Sequence, residues 1–466
     1  MKFKTPKKQG RTNLILSKAE IVLVGIVLVI TTFTMYYADI TVTAQYSLCF
    51  IDSLFDGKPF SFYNNALMSG IAPEGAVYDV GMYIIFAIWN LPIWILGKIA
   101  DINILGIFPL LWFKTLLIVF AYGTLWLLKK IVSYLKFDEY TVKYLKWVYI
   151  LAPLFVFPVF VAAQYDIIPL FFIMYGIWKW LEKDKIKWLA AFSLSFIMKP
   201  FSVFMFAILL LMEEKKITRI IMMGFVSLIP FGVCKMVYRL NPGNCASNDN
   251  FFKEMFPKLL SVRFNIGSNE VSVFFLALIL LYIAVYAHQQ EDDAVLMGRQ
   301  FIWYAFVLWA AFCMFTEVAP YWIIYLSPFL AIITFYNKST INLMLILELI
   351  VNVGVVLLMI IQYPWVYGGQ KTFSYLFMKV LYKAAGGEEN VSTAAGLMRA
   401  LNLEQFFPII SAAVLGALIA CAFYSYKGIR DYNDECEELM IDLWHIRARI
   451  LVLYAWMGVC LLLLII

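Results

Sequence analysis

Apolar runs close to membrane length recur along the whole chain, and that recurrence fixes what the chain can become. A hydrocarbon layer is about 30 Å thick and takes about 20 helical residues to cross, and in it only a backbone that satisfies its own hydrogen bonds is tolerated. Residues 20–37, 104–128, 147–163, 167–181, 220–238, 271–287, 301–315, 321–336, 341–361, 406–423 and a last run ending at Ile466 are such runs. Of 466 residues, 63% are hydrophobic and 15% charged, and mean hydropathy is +0.82. The expected fold class is an all-α polytopic membrane protein.

The formal charge of +6 owes much to Lys2, Lys4, Lys7, Lys8, Arg11 and Lys18. Such a start marks a cytoplasmic end beside anionic lipid, not a nucleic-acid surface. The run 20–37 exceeds a signal-peptide core and lacks a small-residue cleavage site, so it reads as a retained first span. Seven cysteines, Cys49, Cys234, Cys245, Cys313, Cys421, Cys436 and Cys460, are scattered without paired metal spacing. They indicate neither a disulfide framework nor a zinc site, and no metal or cofactor is expected.

Lysine and arginine bias sets the expected topology. Were both 78–97 and 104–128 full spans, Lys129, Lys130, Lys136, Lys143 and Lys146 would fall outside, against the positive-inside rule. Residues 78–97, interrupted by Pro92, are therefore expected as a helix on or dipping into the outer surface. Residues 188–212 have charged flanks of cytoplasmic type at both ends and a Lys199-Pro200 break between them, which predicts a re-entrant hairpin with a lysine apex. The sum is about eleven full spans, the hairpin and outer-surface helices. The N-terminus is expected in the cytoplasm of a multi-pass cell-membrane protein. Segments 39–77, 239–270 and 362–404 are too short or too polar for a separate soluble core, and no tandem repeat is visible.

Two acidic residues disturb this apolar pattern. Asp39 ends Tyr36-Tyr37-Ala38-Asp39 just after the first span, and Asp166 ends Gln164-Tyr165-Asp166 between two apolar runs with almost no loop. A carboxylate at the bilayer edge is costly unless it faces water or a polar cavity, so the pair points to a site on the outer side. The plainer alternatives are a solvated helix end for Asp39, a helix N-cap for Asp166 and a snorkelling side chain for Lys199. Asp52, Asp56, Glu74 and Asp79 share the first outer segment with Asp39. The 28 tyrosines and 14 tryptophans read first as interfacial belts and second as sugar platforms. Asn390-Val391-Ser392 matches an N-glycosylation acceptor.

Asp39 after span one, Gly57-Lys58-Pro59-Phe60, the aromatic segment opening at Tyr78, Gln164-Tyr165-Asp166 and the Lys199-Pro200 break together resemble the amino-terminal half of the GT-C glycosyltransferases. The closest group contains the mannosyltransferase that adds the first mannose to GPI anchors and bacterial enzymes that use polyprenyl-phosphate sugars. The resemblance covers roughly residues 20–212 and implies a GT-C-like catalytic transmembrane module over 1–212, followed by variable transmembrane helices over 213–466. Where many members carry a late outer-loop histidine, this chain has Glu317-Val318-Ala319-Pro320-Tyr321-Trp322, and His288 and His445 fall on the cytoplasmic side.

The chemistry implied is inverting transfer of a sugar from a polyprenyl-phosphate donor to a glycan or lipid acceptor of the cell envelope. Such a transfer needs a carboxylate to take the acceptor proton and cations near the departing phosphate. Asp39 is the expected base and Lys199 the expected cation. Gln164, Tyr165, Asp166, Tyr78 and Asp79 are expected to bind substrate, and Arg263 and Arg239 are phosphate candidates because guanidinium grips phosphate as a fork. The competing class is a transporter or flippase of lipid-linked saccharides, in which charges would be spread through several spans around a central path.

Overall fold

The computed structural model describes residues 15–464 other than 101, 240–255, 289–290, 318, 364–378, 381–382, 385–391 and 433–440. The basic residues from 2 to 11, Cys245, Cys436 and the Asn390-Val391 dipeptide lie outside the described residues. Among the described residues the regular structure is helical save for one small hairpin, and the chain is a multi-pass membrane protein.

Helix α1 (Lys18–Thr34) opens on a capping box, with Ser17 accepting from the Glu20 amide at 3.3 Å and Glu20 accepting from the Ser17 amide at 2.8 Å. The chain breaks at residues 35–38 and turns by 61° into α2 (Asp39–Phe55). A short α3 (Phe62–Met68) leads back to α4 (Val80–Ala100). Contacts advance together along α2 and α4: Asn90 donates to Ser47 at 3.0 Å and the Trp94 indole to Asp52 at 2.9 Å. The two helices therefore run parallel, both starting beside Asp39. Next, α5 (Ile107–Tyr134) doubles back, and Trp89 and Trp112 each donate to the other's carbonyl at 3.2 and 3.0 Å.

Helix α6 (Glu139–Ile150) is followed at a 56° bend by α7 (Pro153–Val156), which widens into a π-helical turn, Phe157–Val161. Then come α8 (Ile167–Leu181), α9 (Lys185–Met198), α10 (Ser202–Glu213), α11 (Ile217–Tyr238) and a single-turn α12 (Phe256–Leu259). Strands β1 (Arg263–Ile266) and β2 (Asn269–Ser272) pair antiparallel, an exception to the all-α expectation. Helices α13 (Val273–Ala287) and α14 (Ala294–Phe315) precede a 3₁₀ turn, Trp322–Tyr325, that runs into α15 (Ser327–Ile333). Every residue of that turn and of α15 is buried, so this segment is the axis of the bundle. The remainder is α16 (Ile341–Gln362), α17 (Ala394–Ala400), α18 (Phe407–Lys427) and α19 (Trp444–Leu463).

Among the described residues seven helices are long and apolar enough to cross a membrane, and nine if the two bent pairs each count as one span. Helices α8, α10 and α13, with 15, 12 and 15 residues, fall short on length.

Side-chain ties sort the helix ends into two poles. At one, Arg447 pairs with Glu20 at 2.7 Å, the Trp180 indole donates to Glu213 at 2.8 Å, Lys215 donates to the Val285 carbonyl at 3.1 Å, and Tyr432 donates to Asp293. Lys129, Lys130, Lys183 and Lys187 belong to this lysine-rich pole. Helices leaving it are capped by acids: Asp138 accepts from the Thr141 amide, Asp184 from the Lys187 amide, and Asp293 from the Val295 amide.

The Lys199-Pro200 break forms a hairpin. Both roots of α9 and α10 lie beside Trp180 and Lys183, since Glu213 at the end of α10 meets both, and the Phe206 ring packs on Trp188, Phe192 and Phe196. Its apex is therefore at the opposite pole. Helix α4 is long and apolar enough to cross, yet it starts beside Asp39 and ends shortly before α5, which itself runs to the lysine-rich pole. Both ends of α4 thus lie at the pole opposite the lysine-rich one, the acidic pole that carries Asp39. Charge is not confined to the two poles: Lys114, Arg299, Glu348 and Arg449 are all buried inside the bundle.

Candidate functional site

The acidic pole is built by chain breaks. Tyr37 in the α1–α2 break donates its amide to the Ala162 carbonyl at 3.0 Å, which fastens the break to the end of the π turn. Lys114 of α5, 2% exposed, reaches the carbonyls of Thr31, Thr32 and Met35 and so closes the C-terminal end of α1, where a cation complements the helix dipole. A lone lysine within the apolar run 104–128 was the sequence signal for it, and sequence reasoning missed it.

On the facing wall the Ala162 amide bonds back five residues to Phe157 and the Gln164 amide to Pro158, both at 2.8 Å. Between them Ala163 takes φ +54°, a left-handed conformation that costs an L-residue about 1–2 kcal/mol. This turn throws Gln164, Tyr165 and Asp166 inward. Asp166 occupies the N-cap position of α8 yet caps nothing; its carboxylate turns to Lys199 at 3.0 Å and accepts from the Tyr325 hydroxyl at 3.2 Å. The N-cap alternative for Asp166 is thereby corrected. The Lys199 apex is kept close by Gly81 in the first turn of α4, where a Cβ would run into the Ile197 side chain and within 2.9 Å of its carbonyl.

Three neutral donors converge on one oxygen of Asp39: Tyr165 at 3.0 Å, Gln164 at 3.1 Å and Tyr78 at 3.2 Å, all to Oδ2. Asp39 is half-buried, whereas Asp166 and Lys199 are sealed at 0% and 6% side-chain exposure. The Lys199 ammonium sits 5.3 to 5.9 Å from the ring centres of Tyr78, Trp322, Tyr321 and Tyr165, within cation–π range. Burial, with the Asp39 charge nearby, holds the phenols of Tyr78, Tyr165 and Tyr321 well above the usual tyrosine range, so they stay protonated. Buried polar atoms at the site without a hydrogen-bond partner are Asp166 Oδ2, Gln164 Oε1 and the Trp322 indole nitrogen. Two acceptors and one donor on sealed walls suit a ligand rich in hydroxyls.

Of the residues expected from sequence, Asp39, Tyr78, Gln164, Tyr165, Asp166 and Lys199 are brought together. Asp79 is not: adjacent to Tyr78, it turns away to pair with Lys235 of α11. Arg263 is not either. It sits on the exposed β1–β2 hairpin, bonded to Glu270 at 2.8 Å and to the Leu260 carbonyl at 2.5 Å, because the two-residue turn places Arg263 and Glu270 on neighbouring strands. Tyr321, Trp322 and Tyr325 come from beyond residue 212, so the site draws on both halves of the chain. Their signal was the aromatic set following Pro320 at an expected outer turn. No family model, curated protein or solved structure matches the chain.

Proposed function

We propose that the chain is a membrane glycosyltransferase of GT-C type that moves a sugar from a polyprenyl-phosphate donor to a glycan or lipid acceptor of the cell envelope. The observation that carries this reading is the Asp39 carboxylate, clamped through one oxygen by three uncharged donors beside a sealed Asp166–Lys199 pair. Among the described residues no donor meets Asp39 Oδ1, which is the oxygen available to a ligand.

In the proposed step the acceptor hydroxyl oxygen attacks the anomeric carbon from the face opposite the phosphate. The new C–O bond forms as the bond to the phosphate oxygen breaks, the electron pair leaves with polyprenyl phosphate, and the acceptor proton passes to Asp39. The configuration inverts. A lipid phosphate already leaves well, so an ordinary carboxylate suffices when the clamp supplies orientation. The tyrosine and tryptophan rings offer faces to the sugar, and Lys199 neutralises the phosphate.

On this reading the lysine-rich pole is cytoplasmic, as is the N-terminus, and the acidic pole faces outside. The short helices α8 and α13 then cross where the acidic pole dips toward the hydrocarbon, and about eleven crossings and the α9–α10 hairpin follow.

A transporter or flippase of lipid-linked saccharides is the second reading, favoured by buried charge in several helices. Against it, those charges are engaged: Lys114 with three carbonyls, Arg299 with the Gly428 carbonyl at 2.9 Å, and Glu348 with Arg449. Purified protein incubated with labelled polyprenyl-phosphate sugars and an envelope acceptor fraction separates the two. Labelled glycan product supports the enzyme; translocation across vesicles without product overturns it.

A further inference from the structure

A buried polar constellation away from Asp39 lies between α16, α19 and α7. Glu348 and Arg449, 1% and 0% exposed, form an ion pair. Arg449 also donates to the His445 carbonyl at 2.6 Å and the Leu345 carbonyl at 3.2 Å. Asn352, one turn beyond Glu348, donates its amide to Glu348 Oε1 at 2.7 Å and to the Glu348 carbonyl at 3.0 Å. Those bonds fix which way the Asn352 amide points, with its oxygen aimed across the helix interface. The oxygen accepts from the Leu154 backbone amide at 3.0 Å.

Leu154 is a revealing partner. A helix leaves its first four amides without intrahelical acceptors. In α7 the first residue is Pro153, which has no N–H, and Phe155 and Val156 both donate to the Ala152 carbonyl at 2.9 Å. Leu154 is the one amide left over, and no side chain of its own segment serves it. Asn352 therefore caps α7 from another helix. Three residues after Leu154 the π turn begins, and that turn ends on left-handed Ala163 and the Gln164-Tyr165-Asp166 wall.

We infer that Asn352, oriented by the Glu348–Arg449 pair, is a positioning residue that sets where the π turn starts and hence where Gln164, Tyr165 and Asp166 meet Asp39 and Lys199. A charge pair buried among apolar helices is expensive and often replaceable by apolar side chains when it serves packing alone. Here it has a specific output, an amide held in one of its two flips. The inference rests on the geometry of the π turn and is independent of the reaction assigned to the site.

Amide hydrogen exchange on the full-length protein in detergent tests it. Asn352→Leu keeps the shape and removes both polar groups. Exchange across residues 153–166 should then rise by about tenfold, equivalent to roughly 1.4 kcal/mol of easier local opening, while α16 and α19 keep their protection. The exchanged pair Glu348→Arg with Arg449→Glu keeps the attraction between α16 and α19, but it removes the side-chain acceptor of Asn352 and leaves only the backbone carbonyl of residue 348, at 3.0 Å, to hold the amide. Its thermal midpoint should stay near that of the unaltered protein while exchange in 153–166 remains raised. Unchanged exchange there in Asn352→Leu overturns the positioning role. An exchanged pair that is well folded and fully protected over 153–166 overturns the part assigned to the Glu348–Arg449 pair and leaves that pair as a simple helix tie. Because exchange is read without substrate, a protein that transfers no sugar at all still shows whether Asn352 positions the turn.

Discussion

At the scale of single residues, the proposed function separates groups that would touch a ligand from groups that shape the walls. Asp39→Asn keeps size and hydrogen bonding but cannot take a proton, so transfer should fall by about a hundredfold or more with donor binding retained; sustained turnover would move the base to another acid of the first outer segment. Lys114 is the contrasting case. Lys114→Met should lower stability by about 2 kcal/mol or more, since three carbonyls at the end of α1 lose a charged donor in a dry interior. A thermal midpoint in detergent equal to that of the unaltered protein would show that the carbonyls find other partners. Asp39 and Asp166 were legible in sequence because a carboxylate between apolar runs is costly wherever it lands. The orientation of Asp79 and Arg263 was not, because a one-residue step along an extended segment or a strand pairing sends a side chain to a different neighbour.

At the scale of elements, two devices hold the acidic pole: the hairpin that presents Lys199 and the contact of Gly81 with Ile197. Lys199→Met preserves the apolar stem, and on the proposed reading polyprenyl-phosphate affinity should drop by about tenfold, or roughly 1.4 kcal/mol, with Lys199→Arg restoring only part of it. Equal affinity in a folded Lys199→Met protein would leave the lysine as the partner of Asp166 alone. Gly81→Val should wedge α4 away from α9 and cost about 1–3 kcal/mol, as overpacking does; the Tyr78 contact with Asp39 loosens with it, so transfer should fall further than stability alone explains. Full activity and stability would show that α4 can shift freely. The hairpin was readable from charged flanks around a Lys-Pro step. The parallel course of α2 and α4 was not, since it depends on pairs such as Ser47 with Asn90 and Asp52 with Trp94 that no periodicity announces.

At the scale of the whole molecule, the two poles predict an accessibility pattern. Single cysteines at Met68, 77% exposed at the acidic pole, and Ile186, 81% exposed at the lysine-rich pole, should react with a membrane-impermeant thiol reagent from opposite sides. Labelling of both from one side would dismantle the two-pole description. Composition and lysine bias already implied a polytopic bundle with a sided charge distribution, whereas the axis formed by Trp322–Tyr325 and α15 was hidden, because a buried segment reads like any other apolar run. The helix packed beside that axis limits how such a chain can diverge. With 15 residues, α8 spaces Asp166 from the loop at residues 182–184 by about 22 Å. Sequence length can drift in the lysine-rich connections, where an inserted residue is absorbed in solvent. Between residues 157 and 166 a single insertion would rotate three site side chains at once, so the geometry of the site leaves that stretch no freedom in length.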